Sequence, residues 1–411
     1  MKHGSVSAAL MLFSVLSVFS VQADELSSAT EHLVRQIREA EHQLRQFPAY
    51  AEDAPGAYAH LMRMLRRSLE EQFLQDPDYP FFRVLDDWVR EGGDNPDQRY
   101  LFARLKGGER YRVWGNVGSA HAVELQLYEG QPWAGKGQAG DYLPSRELVT
   151  DAEGNFEVVL SAERTGKNWL AMNSATDTVV VRQIYREWTD AAPGRIHIDR
   201  LENTRQPKPV ANSEDVARRI RSTGDTVRLS TLVWPGFVQQ RYVAEQPLNQ
   251  VSSLIDTETV GGAEGRWMAH GVHNLQEDEV LLLKMPPTSA RYQAIQLADM
   301  WFASLEYADC ITSLNDAQSI VAADGNTYYV ISATDPGYPN WLDAEGGKRG
   351  VFLLRYDGVN GVIDKSLWPE ARLLKREALR TAIPGYREAS AEDRQSTLRE
   401  RRRHIQVRYG K

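Results

Sequence analysis

The residues whose types and spacing are best suited to chemistry sit on one acidic loop. Asp335, Asp343 and Glu345 surround the Pro336-Gly337 turn, and two carboxylates on one loop can share general acid and base work or hold a hard cation. The same stretch, Asp-Pro-Gly followed by Asp-Ala-Glu-Gly, is also made of ordinary turn formers, which is the simpler reading. Arg349 follows as a cation able to stabilise an anion. Upstream, His270 and His273 form an H-x-x-H pair, which on a helix would bring both imidazoles to one face. Gly271 argues against a helix there and no third ligand follows, so no metal centre is expected. A catalytic loop would use Asp335 or Asp343 as acid or base with His273 nearby. A binding loop would use Trp133, Tyr338 and Trp341 together with Arg349, and the 10 tryptophans of the chain supply the aromatic surface such a role needs.

Other formal motifs fall away. Gly135, Gly137 and Gly140 satisfy a dinucleotide fingerprint, yet Pro132 cuts them off from the preceding strand and Pro144 denies them the long helix that must follow. There is no phosphate-binding loop of the Walker kind and no G-x-S-x-G elbow, and the sequence names no cofactor. The lone Cys310 reads as a small buried hydrophobe rather than a nucleophile.

The elements that must position these residues come from an internal repeat. Gly154-Asn155 through Ser161-Ala162, then Gly166, then Asn168-Trp169-Leu170, reappears as Gly325-Asn326 through Ser332-Ala333, then Gly337, then Asn340-Trp341-Leu342. An apolar strand follows each copy, Val179 to Tyr185 with Arg182 and Val351 to Tyr356 with Arg355. Upstream, Glu109 to Leu127 aligns on Glu279 to Leu297. A unit of four or five strands has an apolar face it cannot bury alone, so the copies either pack face to face as one sandwich or each close into a jelly-roll-like unit. Residues shared by both copies read as scaffold. Trp169 and Trp341 are expected as core aromatics beside a turn, and Asn168 and Asn340 as bonding their own turn backbone. Arg182 and Arg355, cations in apolar strands, each imply a structural carboxylate or carbonyl partner.

The flanks are helical. Leu33, Ile37 and Leu44 form one stripe, and Tyr58, Leu61, Met62, Leu65 and Leu69 another, punctuated by Pro55-Gly56. Between the copies, the spacing predicts a short helix capped by Ser213 (Glu214 to Arg221) and a strand from Thr226 to Trp234, stopped by Pro235. The expected organisation is a signal peptide over 1–23, a helical region over 24–91, a first β unit over 92–205, a connection over 206–274, a second β unit over 275–368 and a basic helical tail over 369–411. The fold class is therefore α+β, mainly antiparallel β, with duplicated sandwich or jelly-roll-like units between N-terminal and C-terminal helices.

Length and charge bound the rest. With 411 residues, 42% apolar and 25% charged, the chain has globular composition. A formal net charge of -8 argues against general nucleic-acid binding. The run from Arg399 to Arg403, with Arg408 and Lys411, reads as a solvated helix end, with binding to an anionic surface as the alternative. Lys2 and His3 precede an apolar run from Ala8 to Val21, and Val21-Gln22-Ala23 offers a small-x-small cleavage site, so export to the periplasm or beyond with cleavage near Ala23 is expected. No second apolar stretch is long enough to span a membrane, and one cysteine permits no disulfide within the chain.

Several of these segments together resemble a bacterial family known as domain of unknown function 1214. The resemblance rests on Ala59 to Leu65, Gly93-Asp94-Asn95-Pro96-Asp97 with Tyr100, Tyr111 to Gly115, Ser313 to Gln318, and Asp335 to Asp343 with Gly346, Gly350 and Arg355. It implies β-rich domains with flanking helices, and neither a reaction nor catalytic residues. Unlike many of those relatives, this chain carries an export signal. Two functions follow as expectations: an exported binding or accessory module for a small apolar or glycan-like ligand, or a hydrolase or lyase built on the carboxylates of the acidic loop.

Overall fold

The structure, a computed structural model, describes residues 6–130, 137–189, 192–202, 206–260 and 263–410, with side chains described from residue 24 onward except at 260. Trp133 and Gly135 lie outside the described residues. Two β sandwiches make up most of the chain. In the first, a five-stranded sheet has the order β1-β2-β8-β4-β5 and a four-stranded sheet the order β7-β6-β3-β9. These strands are β1 (Arg83–Leu85), β2 (Gln98–Arg104), β3 (Tyr111–Asn116), β4 (Ala122–Glu129), β5 (Gln138–Leu143), β6 (Asn155–Ser161), β7 (Trp169–Ala171), β8 (Thr176–Ile184) and β9 (Ile196–Arg200).

The second sandwich repeats the plan strand for strand, with sheets β10-β11-β17-β13-β14 and β16-β15-β12-β18. Its strands are β10 (Ile255–Asp256), β11 (Trp267–Asn274), β12 (Glu279–Met285), β13 (Tyr292–Ala298), β14 (Ser313–Asn315), β15 (Thr327–Ser332), β16 (Trp341–Asp343), β17 (Arg349–Asp357) and β18 (Glu370–Lys375). Even the exception recurs: β6–β7 and β15–β16 are both parallel in otherwise antiparallel sheets. Each copy therefore closes on itself. The first core gathers Val113, Leu125, Val158, Leu160, Val179 and Val181 from both its sheets, and the second gathers Leu281, Leu283, Ile295, Ile331, Phe352 and Leu354.

Three segment assignments change. Strand β11 lies upstream of residue 275 and β1 upstream of residue 92, so both sandwiches begin earlier than the repeat alone indicates. The tail after 369 opens with β18, paired to β12, before turning helical. The segment expected as a short helix and a strand is one helix, α3 (Ser213–Phe237), capped by Asn212 rather than Ser213 and running through Pro235. The β-branched run around Val227 and Thr231 suits a strand locally, but Ala217, Gly224, Val227 and Thr231 fall on one face and are buried. Packing overrides propensity there. A Cβ at Gly224 would stand 3.0 Å from the Leu33 Cα, so this glycine sets how closely α3 approaches α1 (Val6–Leu44).

Helix α2 (Ala54–Leu69) completes a three-helix layer that lies on the outer face of the second five-stranded sheet. Its joint core includes Leu44, Leu61, Val227, Trp301, Val351 and Leu353. The buried stripe of α2 is Ala57, His60, Leu61, Met64, Arg67 and Ser68, whereas Tyr58, Met62 and Leu69 are exposed. Leu61 and Leu65 of the expected stripe do meet the core, but the buried face is rotated from the apolar spacing toward Arg67, which is made buriable by ion pairs to Glu71 at 3.2 Å and Glu91 at 2.8 Å. The short helix α4 (Leu379–Ala382) precedes α5 (Ala391–Tyr409), the last helix. It is not simply a solvated end. Arg401, His404 and Arg408 are buried, with Arg401 bonding the Tyr307 and Ser313 carbonyls and stacking 4.5 Å from the Trp188 ring. Among the described residues no helix is long and apolar enough to cross a membrane.

Candidate functional site

The two sandwiches meet through the outer faces of their five-stranded sheets. Ile184, Tyr292 and Ala294 pack across this junction with Ala122. A buried ion-pair bridge joins them where Arg266 contacts Glu124 at 3.0 Å and Asp357 at 2.8 Å. Asp97 is a second knot: it accepts from the Tyr292 hydroxyl at 2.6 Å, the Trp188 indole at 2.8 Å and the Asn315 amide at 3.1 Å.

Beside these contacts lies a cavity of about 320 Å³. Tyr100, Phe102, Tyr128 and Trp234 supply its rings and Arg182, Arg266 and Arg355 its positive charge, while Glu91 and Asp94 also line it, held by Arg67 at 2.8 Å and by the Ser304 hydroxyl at 2.7 Å. Strand alternation explains the placement: Val181 and Leu354 point into the two cores, so the next residue along each strand points between the sandwiches. Arg182 donates to Gln126 Oε1 at 3.1 Å and to the Tyr128 hydroxyl at 2.8 Å. Arg355 donates to Gln296 Oε1 at 3.0 Å and to the Gly93 carbonyl. Both arginines thus use the same glutamine of their own repeat, and every hydrogen-bonding oxygen is uncharged. Tyr100 lies within the field of both. Burial pushes its phenol up, and Arg355 and then Arg182 pull against that.

A second, more polar cleft of about 740 Å³ separates α2 from the second sandwich. Here the structure brings together three residues singled out by sequence, His273, Glu345 and Arg349. The H-x-x-H pair is on strand β11, not a helix, and neither histidine meets a metal-ligand cluster among the described residues. His270 stacks on Tyr242 with ring centres 4.0 Å apart. His273 is 1% exposed, and its ring nitrogens make no well-formed hydrogen bond, only a weak approach to the Lys348 backbone. Burial pushes the imidazole down to about 4, the nearby Lys348 carbonyl offsetting this slightly. Asp299, also on the cleft, is pushed up to about 6 by burial, against the pull of Arg63 3.6 Å away. Arg349 is paired with Glu52 at 3.0 Å.

Of the three acidic-loop carboxylates, only Glu345 reaches this cleft. Asp335 accepts the Gly337 N–H at 2.8 Å and an ion pair from Arg394 at 2.9 Å, clamping α5 onto the loop. Asp343 accepts the Glu345 N–H at 2.7 Å. Both carboxylates therefore form turns, and neither lines the cleft that holds His273. Tyr338 is 1% exposed and packs on Tyr386 with centroids 5.4 Å apart, so it is core and not a platform. Trp341 carries the Arg394 guanidinium 5.2 Å from its ring and donates to the Ser332 carbonyl at 3.3 Å. Its counterpart Trp169 sits under Arg164 and donates to Ser161 Oγ at 3.0 Å.

The two asparagines of the repeat do more than hold their own turns. Asn168 donates to the Val149 carbonyl at 2.7 Å and accepts the Val149 N–H at 2.9 Å. Asn340 does the same to Ile320, at 2.8 and 2.9 Å. Each staples the strand corner to a segment about twenty residues upstream, a partner that local turn chemistry could not reveal. Cys310 is half-buried, and burial with the nearby Glu345 and Asp343 charges pushes its thiol up to about 11, which keeps it unreactive. Sequence reasoning missed Trp234, Tyr100 and Asp299 as cavity residues. Arg182 and Arg355 were visible as a duplicated pair but pointed to scaffold alone.

No family model matches the chain, and no curated protein matches it. Among solved structures, an uncharacterised protein from Burkholderia cenocepacia is 25% identical, with a TM-score of 0.73 over 88% of this chain and 97% of its own. That structure shares the duplicated fold. A Vibrio parahaemolyticus protein, 13% identical over 83% of this chain and 100% of its own, superposes with a TM-score of 0.43. Oxalate decarboxylase of Bacillus subtilis, as an E162A mutant, is 10% identical over 69% of this chain and 74% of its own, with a TM-score of 0.16. Neither of these last two superposes well enough to carry an argument.

Proposed function

We propose that this protein is a binding module whose cavity between the two sandwiches takes a small molecule with an apolar, ring-bearing body and a carboxylate head. One observation carries the reading. Arg182 and Arg355, equivalent residues of the two copies, reach the same cavity, and among the described residues their hydrogen-bond acceptors are uncharged: four oxygens and the Met268 sulfur. A guanidinium withdrawn from water without an anion loses solvation that neutral acceptors only partly restore. Glu124, whose charge acts on Arg182, is already held by Arg266. A ligand carboxylate fits the fork geometry of arginine, and its apolar body fits the rings of Tyr100, Phe102 and Trp234.

The cavity volume lies at the lower end of small-ligand sites, which favours a compact ligand over an oligosaccharide. The export reading is compatible with this role. Cleavage near Ala23 would shorten α1 but leave the part that carries Ala29, Ala40 and Leu44, which are buried.

The test is a titration of Trp234 fluorescence with phenylalkanoic acids of increasing chain length, each beside its neutral amide. The acid is expected to bind at least about tenfold more tightly than the amide, a ratio worth about 1.4 kcal/mol, and Arg182→Met or Arg355→Met should erase that preference. Equal binding of acid and amide, or none of either at millimolar concentration with the fold intact, would refute the proposal.

A further inference from the structure

The polar cleft has its own unmet chemistry. Arg90 Nε and Arg349 Nε are buried without a hydrogen-bond partner, the His273 ring nitrogens make no well-formed hydrogen bond beyond a weak approach to the Lys348 backbone, and Arg63 Nη1 has only a loose ion pair to Asp299 at 3.6 Å. All belong to residues that line the cleft. Among the described residues, no acceptor atom lining the cleft other than the lone-pair nitrogen of His273 is left in the same condition. Buried donors without acceptors are rare in folded proteins and call for an explanation. An acceptor-rich ligand is one.

Charge narrows the class. The lining cations Arg63, Arg90, Lys348 and Arg349 face the carboxyls of Glu52, Asp53, Asp299, Glu306 and Glu345. This near balance is hostile to a polyanion. A neutral imidazole offers one N–H and one lone pair, the complement of a hydroxyl group. Gly350 sets the ring's position, since a Cβ there would stand 2.6 Å from His273 Nε2.

We propose that this cleft is a second binding site, separate from the cavity between the sandwiches, for a small hydroxylated monocarboxylic acid of the sugar-acid kind. The carboxylate meets the Arg63 and Arg349 donors, and the hydroxyls are shared among His273, Asp299 and Arg90. The ligand differs from that of the first cavity in having no apolar body, and the two sites use no arginine in common.

Calorimetric titration of the whole chain with gluconate and galacturonate tests this, with glucose and inorganic phosphate as comparators. One of the acids is expected to bind at least tenfold more tightly than either comparator. Arg349→Gln, at a partly exposed position where folding is not at stake, should weaken that binding at least tenfold, and Arg182→Met should leave it unchanged. His273→Leu should weaken it as well, with circular dichroism and melting checked in parallel. Absence of binding by both acids in the folded chain would overturn the proposal. So would phosphate binding more tightly than the acids, or loss of binding in Arg182→Met with retention in Arg349→Gln.

Discussion

Acidification should destabilise this protein through histidines that are buried neutral. His60 is fully buried, donates from Nε2 to the Thr231 carbonyl at 2.9 Å, and leaves Nδ1 without a partner. Burial pushes it from 6.5 down to about 4, and His273 is displaced by the same amount. Because the folded value lies below the unfolded one, the unfolded chain takes up these protons first. Stability is therefore complete above pH 6.5 and is lost as the pH falls toward 4. Each histidine contributes about 3 kcal/mol over that interval, at 1.36 kcal/mol per pH unit. Asp299 acts in the opposite sense. Its folded value is raised from 3.8 to about 6, so acidification through that range returns about 3 kcal/mol. For these three groups the balance at pH 4 is a loss of about 3 kcal/mol, large against a typical stability of 5–15 kcal/mol. Urea unfolding followed by tryptophan fluorescence at half-unit intervals from pH 7.5 to 4.5 measures it. The His60→Gln variant should flatten the slope by up to about 1.4 kcal/mol per pH unit. A midpoint that holds steady or rises between pH 6.5 and 4.5 would refute the reasoning.

Three further outcomes follow from named contacts. Asn340 is 1% exposed, so Asn340→Ala, which strands backbone groups of Ile320 and Tyr328, should cost about 2–3 kcal/mol, while Asn168→Ala at a half-buried corner should cost about 1 kcal/mol; scanning calorimetry compares them. Arg266→Met leaves Glu124 and Asp357 unpaired at the junction and should cost about 3–5 kcal/mol, with partial recovery on adding Asp357→Asn. Asp335→Asn weakens only the partly exposed pair with Arg394, so denaturant unfolding should report a loss of about 1 kcal/mol or less, with ligand titrations unchanged in both cavities.

The repeat was legible because strand alternation, turn glycines and the Asn-Trp-Leu corners are all local signals. They carried the fold class, the antiparallel character and the duplication. They also placed His273, Glu345 and Arg349 among the candidates, although through neighbours in sequence rather than in space. Asp335, Asp343, Tyr338 and Trp341 were open to both a working and a structural reading for a physical reason. Turn carboxylates and core aromatics have the same composition as a binding loop, and only their partners tell them apart. Here the partner of Asp335 and Trp341 is Arg394, 59 residues from Asp335 along the chain.

What the sequence determined alone was each unit's internal plan, since a period of two and a turn residue act within a few neighbours. The tertiary structure decided everything that depends on which outer face meets which. It turned β-branched residues near Val227 into helix by burying them against α1, and folded the basic tail into the interior. It also brought Arg182 and Arg355, 173 positions apart in the chain, to the two sides of one cavity. Contacts between sandwiches are set by complementary shape and charge across surfaces distant in sequence, and no local pattern encodes them.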